Sequence, residues 1–241
     1  MNNFRKGDVK MISFYEIYKQ AVSLFEDPDI KIAYETNKIS FAKLLYPFLN
    51  SSLSLFTNPS MIGRMLSDYV EPRGIMEIFD SDGVTTEFEL SFVPDNDCFF
   101  ECLADSKRVD FSYNKESNTI IFSENIDANK KYSVECYSMG FFNTDLNITN
   151  NLNIDRDIRN KTVGILARLL VLAWGEKTKN FLLDIENVLK DTDFNLHPAS
   201  NALNSKINFV KQITEDTYQL QNKLGHIIRF ASSADWGRRY N

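Results

Sequence analysis

Apolar residues recur at helical steps near the start of the chain. Phe14, Ile17, Tyr18, Ala21 and Phe25 fall three and four apart, which predicts a helix over 11–26 with one apolar face. Asp27-Pro28-Asp29 ends it, because proline cannot continue the hydrogen-bond ladder. A second helix is expected from Ser40, an N-cap residue type, carrying Phe41, Leu44, Leu45, Phe48 and Leu49. Pro47 lies inside that pattern and either kinks or divides it. Asn58-Pro59 reads as a cap followed by a first-turn proline, opening a short helix with Ile62, Met65, Leu66 and Tyr69.

The period then changes from helical to alternating. Phe88, Leu90 and Phe92 stand on one side and Glu87, Glu89 and Ser91 on the other, the pattern of a half-buried strand. Asp82-Gly83 is a turn pair, so 74–79 and 85–92 are expected to form a hairpin. Further strands are predicted at 97–103, 108–113, 119–123 and 131–138, with polar 114–118 as a turn. Helical spacing resumes near Asp155 with Ile158, Val163, Leu166, Leu169, Leu170 and Trp174, and Gly175 is a candidate break before the pattern runs on to about Lys190. A last helix, 199–230, carries a narrow seam of Leu203, Ile207, Val210, Ile213, Leu220, Leu224 and Ile227. The tail, 231–241, shows no period.

These elements predict an α+β fold: a discontinuous helical bundle domain, 1–73 and 150–230, with a small antiparallel β-sandwich or barrel inserted at 74–142 and a C-terminal arm at 231–241. The 241 residues, with 19 Phe and 10 Tyr, are enough to bury a sizeable core. The net charge of -6 disfavours non-specific nucleic-acid affinity. Three cysteines, Cys98, Cys102 and Cys136, are too few and odd in number for a disulfide scaffold, and buried thiols in a reducing compartment are expected. The opening residues lack the apolar stretch of a signal peptide. The longest apolar run, 163–174, contains Arg168 and is shorter than the ~20 residues a bilayer span needs. A soluble chain, intracellular at synthesis, is expected.

No catalytic constellation stands out. His197 and His226 belong to no zinc or metalloprotease spacing, and His226 reads as a residue of the last helical turns, favourable to the dipole. Cys98 and Cys102 lie on one side of a strand with no histidine near in sequence. The acidic pairs Asp27/Asp29, Glu87/Glu89 and Asp95/Asp97 could imitate a glycosidase dyad or a metal site, but sit where a solvated face or a turn accounts for them. Phe99, Phe100, Tyr113 and Tyr132 could stack on sugars, although core packing suits the same positions. No catalytic residue, metal or cofactor is expected. The tail is different: Trp236, Arg238, Arg239 and Tyr240 are residue types enriched in interface hot spots, and they are the candidate partner-binding residues.

The β block resembles a module of tailed-bacteriophage virion proteins. The resemblance is carried by Asp-Gly-Val-Thr-Thr-Glu-Phe-Glu-Leu at 82–90, by 109–122, and by 134–142 with Tyr137, Gly140 and Phe142. The flanking helices look like those of phage head-tail connector proteins. Cys98–Leu103 stands where such modules often carry a glycine turn. The resemblance implies a structural neck protein, without enzymatic activity, assembled as a ring, a dodecamer if it follows the portal. Its partners would be copies of itself, the portal protein and adjacent neck or tail proteins. DNA would pass through its channel without specific binding. It implies a place in the virion, and in the host cytoplasm during assembly. A tail-completion or baseplate component is the nearest alternative. A carbohydrate-processing enzyme or sugar-binding module is the alternative of another class.

Overall fold

The computed structural model describes residues 11–94, 98–122, 126–144, 146–149, 151–190 and 197–239. The fold is mixed, with helices before and after a run of antiparallel strands, and no closed barrel occurs among the described residues. The chain enters at β1 (Ile12–Ser13) and turns into α1 (Phe14–Val22). Ser13 and Glu16 form a reciprocal capping box there, and Arg159 pairs with the same Glu16. A helix that sequence periodicity misses, α2 (Pro28–Thr36), follows, with Asp27 as its N-cap and Pro28 at its first position. Its only buried residue is Ile30, so it has almost no apolar stripe to read.

α3 (Lys38–Ser52) is capped by Asn37, whose Oδ1 accepts from the Ser40 N–H at 2.9 Å, and runs unbroken through Pro47. A 3-10 turn and α4 (Ser60–Met65) complete the first helical stretch. The expected Asn58 cap is not formed. α4 begins after Pro59 without a side-chain cap, and Asn58 instead donates to Asn222 Oδ1 at 2.7 Å. The two partners lie 164 residues apart, and a local pattern carries no sign of such a bond.

The strands are β2 (Tyr69–Val70), β3 (Arg73–Asp80), β4 (Glu87–Glu89), β5 (Cys98–Ala104), β6 (Lys107–Arg108), β7 (Phe111–Asn114), β8 (Thr119–Phe122), β9 (Lys131–Ser138) and β10 (Phe141–Phe142). They make three sheets, ordered β1-β10-β2, β3-β9-β5-β6 and β4-β8-β7. The hairpin predicted across Asp82-Gly83 does not exist. β3 pairs with β9, Arg73 opposite Ser138 through Asp80 opposite Lys131, while β4 pairs with β8. Asp82 causes the departure: its carboxylate accepts from the Val84 and Thr85 N–H groups and the Thr85 hydroxyl. That side-chain turn, with Gly83 at φ +82° against Ala128, sends the chain to a different sheet.

Two apolar cores occur among the described residues. One lies wholly within the strands and their turns: Leu90, Cys102, Ala104, Ile120, Phe122, Ile126, Tyr132 and Val134. Ring pairs Phe79–Phe88, Phe100–Tyr113 and Phe122–Tyr132 link β3, β5 and β9 to the β4-β8-β7 sheet, with centroids 4.6–5.2 Å apart. The larger core joins α1, α2, α3, α4 and two long helices, α5 (Leu152–Lys190) and α6 (His197–Arg239). β9 and β10 reach into it through Tyr137, Met139 and Phe142. Gly140, at φ +80°, makes that passage possible: a Cβ there would lie 2.6 Å from the Val70 carbonyl oxygen. Gly175 does not break α5, and a Cβ would stand 3.1 Å from Val210 Cγ2, so this glycine permits close approach of α6.

Candidate partner interface

The helical and β cores meet across a seam of polar ties. Lys43 of α3 pairs with Glu135 of β9 at 2.7 Å, Asn37 Nδ2 donates to Glu101 Oε1 of β5 at 2.8 Å, and Arg108 Nη1 donates to the Thr36 carbonyl at 2.8 Å. Glu135 lies over β3 at Gly74, where a Cβ would come within 2.6 Å of its carboxylate. A cleft of about 130 Å³ opens beside this seam, bordered by Glu35, Lys38, Phe99, Glu101 and Arg108. Small-molecule sites usually enclose ~300–1,000 Å³.

The tail residues sit differently from their reading in the sequence. α6 continues to Arg239, so Trp236, Arg238 and Arg239 belong to the end of a helix rather than to an aperiodic arm. Tyr240 lies outside the described residues, as do Asp95 and Asp97. His197 begins α6. His226 is exposed and stands three turns before the end of α6, not in its last turn. Asp27 caps α2 by accepting from the Asp29 N–H at 2.9 Å, and Glu87 and Glu89 point outward from β4 on either side of Phe88.

The aromatic positions weighed for sugar stacking are spent on packing. Phe99 packs on Tyr15, Phe100 on Phe111 and Tyr113, and buried Tyr132 on Phe122, with its hydroxyl accepting from the Asp127 N–H. Cys102 is buried, and burial pushes its thiol up to about 11. Asp82 is held at about 2 by the backbone N–H groups of Thr85 and Val84 and the Thr85 hydroxyl. Among the described residues no group of three or more His, Cys, Asp or Glu is placed to hold a metal ion.

Large apolar side chains stand exposed at separate points that sequence inspection did not single out. On one face of β3, Met76 is 64% and Ile78 59% exposed, and Ile75 is exposed on the other face. On the long helices, Phe181 of α5 is 63% and Tyr218 of α6 65% exposed. Alternation could not mark the β3 row, because Ile75, Met76, Ile78 and Phe79 make both faces of the strand look apolar. No helix among the described residues is long and apolar enough to cross a membrane. No family model, no curated protein and no solved structure matches the chain.

Proposed function

We propose that this chain is a structural subunit that works by contact with its own copies and with neighbouring proteins, as a ring-forming head-tail connector of a tailed-phage virion. The observation that carries the reading is the length of α5 and α6, 39 and 43 residues, able to reach ~60 Å along a subunit boundary and each leaving a large apolar side chain exposed, Phe181 and Tyr218. In this reading the helices form a discontinuous base, residues 74–142 form an inserted antiparallel sandwich, and the polar seam at Lys43, Asn37 and Arg108 holds one on the other. A cyclic ring needs two dissimilar surfaces on each subunit, and a base that carries a separate β unit supplies them. The net charge of -6 suits a channel wall past which DNA slides. The ring follows the portal's symmetry as a dodecamer.

The end of α6, with Trp236, Arg238 and Arg239, and Tyr240 beyond it, docks on the adjoining ring. Deleting 235–241 should leave the thermal melt of the isolated protein unchanged and weaken recovery of complexes with portal. Undiminished complex formation would remove the docking role from these residues.

A further inference from the structure

We propose that the strands from Arg73 to Ser138 open and reclose as one cooperative unit while the helical base stays folded. This goes beyond the ring reading, because it is a property of a single copy.

The small core is self-contained. Its buried members and the partly buried side chains packed on them, from Phe79 to Val134, all come from β3–β9 and their turns, and none belongs to the large core. Among the described residues, only Phe99 and Tyr137 of this unit pack into the large core, and the ties made by Lys43, Asn37 and Arg108 across the seam are polar. β9 divides by face. Tyr132 and Val134 turn into the small core, and Tyr137, on the opposite side of the strand, turns into the large one.

The ladder also lapses where the chain crosses between the two. β3 and β9 begin with Arg73 opposite Ser138, while β2 and β10 end with Val70 opposite Phe141. Between those pairs stand Glu71-Pro72 on one strand and Met139-Gly140 on the other. Pro72 has no N–H to give, and the Gly140 carbonyl accepts from the Phe14 N–H of the base at 3.0 Å. Loss of the β3–β9 ladder therefore leaves the β1-β10-β2 sheet bonded within the base. Size decides which part opens first. Among the described residues the small core holds eight buried apolar side chains and the large one thirty-two, so the base has far more buried apolar surface holding it. Two cores that share no member meet the condition for a sub-global opening, in which one is lost and the other persists.

The intact chain carries a reporter for each part. Cys102 is 0% exposed within the small core. Trp174 packs on Phe25 and Phe48 of the base, and the other tryptophan, Trp236, belongs to α6, so tryptophan emission follows the base. The test is pulsed thiol alkylation in a urea series, read at Cys102 by peptide mass, beside tryptophan emission from the same samples. Cys102 should become labelled at lower urea than the emission change. Ile120→Ala, which truncates a fully buried side chain of the small core, should speed Cys102 labelling in native buffer by about thirtyfold or more and leave the emission midpoint where it was. Labelling that coincides with or follows the emission change overturns the proposal. So does an Ile120→Ala variant that leaves labelling unchanged or moves both midpoints together. Labelling is read without portal and the ring is read by mass with portal, so the two can fail separately.

Discussion

Tyr18 is fully buried beneath Phe41, and its hydroxyl has no hydrogen-bond partner among the described residues. Burial, with Tyr137 and Tyr46 nearby, pushes its ionisation well above the usual phenol range. A buried hydroxyl without a partner costs about 1–3 kcal/mol of desolvation. Tyr18→Phe should therefore leave stability unchanged or raise it by about 1 kcal/mol in urea denaturation. A clear loss would mean that the hydroxyl is bonded. Asp82 gives the opposite case at the surface. Its folded value of about 2 lies below the ordinary 3.8, so the charged form is favoured by the fold. The turn it holds is intact above about pH 4 and is lost as pH falls through about 2. The Val84 and Thr85 amide resonances should titrate near 2, and not at all in Asp82→Asn. A midpoint near 4 would contradict the bonding that redirects this loop.

At the scale of elements, Gln221 makes three of the bonds that tie α6 to the loop before α4, beside the Asn58–Asn222 bond. Gln221 is 5% exposed; its Oε1 accepts from the Thr57 and Asn58 N–H groups at 3.0 and 2.9 Å, and its Nε2 donates to the Leu55 carbonyl at 3.2 Å. Gln221→Leu strands two donors and an acceptor and should cost about 2–3 kcal/mol, with Gln221→Glu milder because the acceptor survives. Equal losses for the two would argue that side-chain volume, not bonding, sets the cost. This contact also marks where sequence reading runs out. Periods of two and 3.6 are local, so β9 was legible to the residue, β5 to within one, and α1, α5 and α6 by their seams. Pairing is not local. The turn signal at Asp82-Gly83 was real, but it served a side-chain turn, and β3 found β9 some 60 residues on. α2 escaped notice because one buried isoleucine makes no stripe, and the β3 edge because apolar residues on both faces hide which one stays uncovered.

At the scale of the molecule, the described residues form two cores joined by a polar seam and by the β9–β10 segment that enters the helical core at Tyr137, Met139 and Phe142. The exposed ion pair in that seam contributes little, about 0–1 kcal/mol, so the apolar entry of β9–β10 carries most of the attachment. In the proposed reading, the exposed apolar groups on β3 and on the long helices are surfaces for contact with other chains. The direct test is the mass of the intact protein with and without portal. The account predicts a small species alone and a closed ring, matched to the portal's symmetry, once portal is added. A mass indifferent to portal and to every other virion component, together with turnover of a small compound by the purified chain, would contradict it.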